Sequence, residues 1–76
     1  MTPEEIRKII GQNIRNLRRE YGLSRKSLAK LINVPVERLR RVEEGDANAK
    51  LFDFHLKRLA RVFGVTVDCL YESVLS

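Results

Sequence analysis

Glu37, Arg40, Arg41 and Glu44 follow one another at spacings of three, one and three residues. At about 100° per residue this spacing gathers all four on one helical face, opposite Leu39 and Val42. A short, strongly polar face of that kind can enter the ~12 Å major groove of double-stranded DNA. There an arginine bridges guanine O6 and N7, and a glutamate accepts from cytosine N4. Arg41 is the leading candidate for a base contact because of its outward angle, with Arg40 beside it. Val36, at the head of the same helix, has two open readings: contact with a thymine methyl group, or cover for the core. Glu37 also has two, cytosine recognition or neutralisation of Arg40 and Arg41 at i+3 and i+4.

Other chemistries find no comparable constellation. There is no nucleophile paired with a base, no phosphate-cradling glycine loop and no cofactor motif, so neither an enzyme nor a cofactor is expected. The single Cys69 and single His55 fall short of the four ligands of a structural zinc, and both are expected to be packing or surface residues. With 76 residues, 43% hydrophobic and 33% charged, the chain is expected to form one soluble domain over residues 1–76 with a thin core. That size excludes doubly wound nucleotide folds and barrel enzymes. One cysteine, an acidic start at Glu4-Glu5 and no long apolar run point to a reducing, cytoplasmic setting without a membrane anchor.

The formal charge of +5 is unevenly spread. Residues 1–41 hold eleven basic and four acidic side chains, a balance of +7, and residues 42–76 hold four and six, a balance of −2. The first half therefore carries the footprint for a polyanion.

The elements that must position these residues are all helical. Thr2-Pro3-Glu4-Glu5 fits a capping box, with Glu5 reaching back to the Thr2 amide, and opens a helix with Ile6, Ile10, Ile14, Leu17 and Tyr21 on one stripe. Gly22 ends it. Ser24 caps a second helix that turns Leu28, Ala29 and Ile32 inward, and Asn33 accepts the left-handed turn that follows. Pro35 presets a third helix, stopped by Gly45. A loop follows, then helical spacing over residues 51–63, with Phe52 and Phe54 expected to pack under the loop. Thr66 is expected to cap a fifth helix carrying Val67, Leu70, Tyr71 and Val74, whose apolar tail could meet a second copy. No internal repeat or linker interrupts the chain.

Two helices joined by about four residues, with the small Ala29 where they cross, meet the geometric demands of a helix-turn-helix. At this point the sequence resembles the phage-repressor-like (lambda repressor and Cro type, or XRE) family. Residues 11–18 resemble its opening helix, Leu28-Ala29 with Asn33-Val34 its motif core, and Val42-Glu43-Glu44-Gly45 the end of its recognition helix. Leu59-Ala60, Phe63-Gly64-Val65 and Leu70 are similar to its closing helices.

The resemblance implies a compact all-α, five-helix DNA-binding domain, commonly a homodimer on paired half-sites. It places base reading on Val36, Glu37 and Arg41, with Arg40 adjacent, and phosphate contacts on Ser24 and Arg25. The free amides and positive helix end at Ser24 and Arg25 also favour an anion, and Lys26 and Lys30 are further phosphate candidates. It also implies a structural ion pair between Arg18 and Glu43. The sequence departs from the family at Arg25, Asn33 and Pro35, where glutamine, glycine and a capping hydroxyl residue are usual, and in a loop about two residues longer after Gly45. Asp46 in that loop, with Glu44, sets negative charge beside the expected phosphates.

The function expected is a sequence-specific double-stranded DNA-binding transcriptional regulator, of the repressor kind. The alternative is a protein-interaction module, such as the antitoxin of a toxin pair, which Glu43, Glu44, Asp46 and the apolar tail motivate. A role in RNA binding rests on charge alone.

Overall fold

The computed structural model describes residues 2–72. Four α-helices, α1 (Pro3–Glu20), α2 (Arg25–Ile32), α3 (Val36–Glu43) and α4 (Asp53–Phe63), precede a 3-10 turn over Val67–Tyr71, and the described residues contain no strand. The all-α class is as expected, but a 3-10 turn stands where a fifth helix was anticipated. Thr66 makes no side-chain bond to the turn's backbone; its hydroxyl meets Cys69 Sγ at 3.3 Å instead. From α1, the Asn13 amide donates to the carbonyls of Leu70 (2.9 Å) and Glu72 (2.7 Å). Val74 and Leu75, assigned to the apolar tail, lie outside the described residues.

Local chemistry sets the remaining ends. The Thr2 hydroxyl oxygen accepts from the Glu5 amide at 3.1 Å, as an N-cap should. The Glu5 carboxylate does not reach back to the Thr2 amide; it meets the Thr2 hydroxyl at 3.1 Å. Ser24 caps α2 by accepting from the Ser27 amide at 3.0 Å. Asn33, at φ 61° and ψ 51°, reverses the chain so that the Val34 amide donates to the Ala29 carbonyl at 3.0 Å. This is the Schellman closure that a left-handed residue makes available. Four residues after Asn33, α3 is already in its first turn.

The core gathers Ile14 of α1, Leu28 and Ile32 of α2, Leu39 of α3, Leu59 and Phe63 of α4, and Leu70, all fully buried. Ala29 is buried with them, as its place at the α2–α3 crossing requires. The tightest approach is elsewhere. A Cβ at Gly11 would lie 2.2 Å from the Val42 carbonyl oxygen and 2.9 Å from that of Glu43, so α1 touches the end of α3 through a position only glycine can occupy.

The start of α4 departs from expectation. The Phe52 amide donates to His55 Nδ1 at 3.1 Å, so the helix begins at Asp53 rather than Leu51. That start turns His55, Leu56, Leu59, Ala60 and Phe63 inward. Phe52 and Phe54 fall off the buried stripe and are 61% and 57% exposed, not packed beneath the loop. They stack on each other with ring centroids 6.0 Å apart and planes within 10°. Beneath the loop the buried residue is Ala49, whose amide donates to the Asp46 carbonyl at 3.2 Å.

Candidate DNA-reading surface

The candidate reading face rests on a buried carboxylate. Glu43, on the inward side of α3, has a side chain only 1% exposed. Arg18 of α1 grips it in a fork, Nε to Oε2 at 2.9 Å and Nη2 to Oε1 at 3.1 Å, and its third nitrogen donates to the Leu23 carbonyl at 3.1 Å. One bidentate arginine leaves further lone pairs on a carboxylate that water barely reaches. Arg25 takes one, with Nη2 3.2 Å and Nε 3.3 Å from Oε1. The Arg18–Glu43 pair is thus joined by a residue that had been assigned to phosphate. Arg25 sits in the first turn of α2, where the helix dipole disfavours a cation, and Glu43 offsets that charge. The Arg25 side chain stays one-third exposed, so part of its guanidinium still faces solvent.

On the opposite side of α3, Glu37, Arg40, Arg41 and Glu44 project together as their spacing predicts, and Val36 at the head of the helix is exposed. Arg40 lies between the two glutamates. Its Nε donates to both Glu37 oxygens (3.0 and 3.1 Å), its Nη2 to Glu37 Oε1, and its Nη1 to both Glu44 oxygens at 2.9 Å. The hydrogen bond from Arg40 holds the Glu37 carboxyl below its ordinary value; slight burial opposes this, and the charges of Arg40, Arg41 and Arg25 reinforce it. Bonds to Glu37 and then Glu44 raise the Arg40 guanidinium correspondingly. Glu37 therefore takes, at i+3, the intrahelical reading left open by the sequence, with Arg40 as its partner.

Arg41 is freer. Its side chain is 50% exposed and the carboxylate paired with it, that of Asp46, is 4.0 Å away. Asp46 in turn accepts from the Asn48 amide at 2.8 Å, so the acid that threatened the phosphates spends part of its capacity shaping its own loop. Ser24, Lys26 and Lys30 are exposed around α2, with the Ser24 oxygen occupied by its capping bond.

His55 is buried rather than at the surface. Burial lowers its pKa, and the charges of Arg38 and Arg58 add to the effect. Accepting at Nδ1 requires the neutral ring, so His55 works as a cap for α4 and takes no part in the reading face. Its neighbours Phe52 and Phe54, expected to pack under the loop, are instead exposed by the period of α4 once its start is fixed at Asp53.

A helix-turn-helix family model matches residues 14–68 of the chain, a span that contains α2, α3, the Glu43 cluster and the whole of α4. The chain belongs to the helix-turn-helix family. As the resemblance to XRE-type domains implied, it is a DNA-binding transcriptional regulator. The helix-turn-helix chain is similar to the restriction-modification controller protein C.AhdI from Aeromonas hydrophila, known from a high-resolution crystal structure. The two share 28% identity and a TM-score of 0.74 over 86% of this chain and 96% of that one. No curated protein matches it. No helix among its described residues is long and apolar enough to cross a membrane.

Proposed function

We propose that this helix-turn-helix protein is a sequence-specific repressor that binds double-stranded DNA as a homodimer and reads the major groove with α3. The observation that carries the reading is Arg41: half-exposed, on the outward face of α3, and only loosely held by Asp46. Its fork is available for guanine O6 and N7 without dismantling the helix. Arg40 and Glu37 are the second readers. Their exposed pairings contribute little net stability, so exchanging them for base edges is favourable wherever the sequence supplies matching groups. Val36 at the head of α3 is placed for a thymine methyl. Ser24, Lys26, Lys30 and the free part of Arg25 hold phosphates and set the register.

One eight-residue helix covers a short stretch of groove, so specificity calls for a second copy on a mirrored half-site. Phe52 and Phe54 are the largest apolar side chains exposed side by side, and we place the self-association face there, together with the exposed Tyr71 of the C-terminal turn. Similarity to a restriction-modification controller protein supports control of transcription as the outcome of binding.

Selection from a random duplex pool tests the whole reading: the recovered motif should be two mirrored half-sites about 34–36 Å apart, one helical turn. On that motif, Arg41→Ala should weaken binding by ~1–3 kcal/mol and relax preference at one position, while affinity for any duplex falls steeply with salt. Unchanged base preference in Arg41→Ala removes Arg41 from the reading set. Binding that is undetectable even at low salt returns the protein to the partner-protein, antitoxin-like reading.

A further inference from the structure

A cavity of about 340 Å³ opens between the first half of α1, the turn after α3 and the start of α4. Its volume falls within the range of small-molecule sites. The walls are mainly apolar, from Ile6, Ile10, Leu51, Leu56 and Tyr71, with Val42 beneath. Four charged residues also line it, Arg7, Lys50, Asp46 and Asp53, and they are not equivalent. Asp46 is engaged with the Asn48 amide at 2.8 Å and lies 4.0 Å from Arg41. Asp53 occupies the first turn of α4, where the positive helix end offsets its charge. Arg7 has no such outlet. Its Nε is buried and meets no acceptor among the described residues. A buried donor in that state carries a desolvation penalty, and no hydrogen bond among the described residues engages the rest of the guanidinium, so the terminal nitrogens are the ones left to meet an acceptor in the cavity.

We propose that this cavity binds a small amphiphilic carboxylate, its apolar body against the Ile6–Ile10–Leu56 wall and its head accepting from Arg7, with Lys50 the second cation. A planar carboxylate suits the guanidinium fork, and the apolar walls favour a single head group over a polyanion. Val42, in the last turn of α3, and Gly45, in the turn just after it, both line the cavity, and a Cβ at Gly45 would lie 3.0 Å from Lys8 Cγ of α1. An occupant therefore contacts the joint that sets α3 against α1, and DNA affinity would respond to it. The site itself stands without the DNA-binding reading; only that response rests on it.

The test is an NMR titration of the full chain, without DNA, using octanoate, octylamine and octanol. Octanoate should give saturable shifts in the Ile6, Ile10 and Leu56 methyls and in the Arg7 Nε–H, and bind at least tenfold tighter than either of the others. Arg7→Gln should weaken octanoate at least tenfold, leave octanol unchanged and keep the dispersed spectrum of the folded chain. Adding an operator duplex should then show whether octanoate shifts DNA affinity, a separate readout whose failure leaves the binding site standing. Absence of saturable shifts up to about 10 mM octanoate, equal binding of the three probes, or indifference to Arg7→Gln overturns the proposal. Shifts that track protein concentration rather than octanoate also overturn it, because they assign the cavity to a second copy.

Discussion

Glu43 and Glu44 are adjacent, both are carboxylates and both bind arginine, yet their side chains are 1% and 54% exposed. The 100° step between them separates two kinds of ion pair. Glu43 is held by Arg18 and Arg25, which lie 25 and 18 residues away in the chain, so its bonds tie α1, α2 and α3 together. Glu44 is held by Arg40, four residues back on the same helix. A bond inside one helix can be exchanged without moving any helix; a bond between helices cannot. One turn of α3 thus presents a fixed side to the core and an exchangeable side to solvent, the side proposed to read DNA.

The largest effect should come from breaking the fixed side. Glu43→Gln keeps the shape but leaves Arg18, whose side chain is 11% exposed, facing a neutral partner. Removing one member of a buried pair costs about 3–5 kcal/mol, which in a domain of this size lowers the thermal midpoint by more than about 12 °C. Urea or thermal unfolding measures it directly. A loss under about 1 kcal/mol would mean that the cluster does not hold α3 in place.

Next in size is the backbone contact beside that cluster. Gly11→Ala sets a methyl group 2.2 Å from the Val42 carbonyl, and neither backbone can rotate aside as a side chain could. Overpacking of this kind costs about 2–3 kcal/mol, against roughly 1 kcal/mol that alanine returns in helix propensity. Net destabilisation in equilibrium unfolding, together with weaker operator binding as α3 is pushed from α1, is the expected pair of results. A stabilised variant would show that α1 and α3 can separate freely there.

What the sequence made legible follows the same division. Patterns closed within a few residues could be read: the Thr2 and Ser24 caps, the Asn33 reversal, and the outward set Glu37, Arg40, Arg41 and Glu44 each need only helical geometry. The Arg18–Glu43 pair spans α1 and α3, and it was legible only through family resemblance. Arg25 was not legible as its third member, because nothing local shows that a bidentate arginine leaves a buried oxygen wanting a donor. Phe52 and Phe54 were misplaced for a related reason. A two-residue shift in the start of α4, set by one bond to His55, decides which aromatics face the core. The turn at Val67–Tyr71 is bonded to Asn13, more than fifty residues earlier in the chain, and no window of local sequence contains both.

The smallest effect should come from the exchangeable side. Glu44→Gln removes a carboxylate whose partner Arg40 keeps its bonds to Glu37, so the thermal midpoint should stay within about 2 °C of the parent. Operator affinity should move the other way from the Glu43 and Gly11 variants. A carboxylate about 8 Å from a phosphate opposes binding by roughly half a kcal/mol in water, so its removal should tighten binding about twofold, more at low salt than at high. Fluorescence anisotropy on the selected operator resolves a change of that size. The direction matters more than the amount: weaker binding in Glu44→Gln would make Glu44 a base reader in its own right, and a large loss of stability would place it with Glu43 on the fixed side.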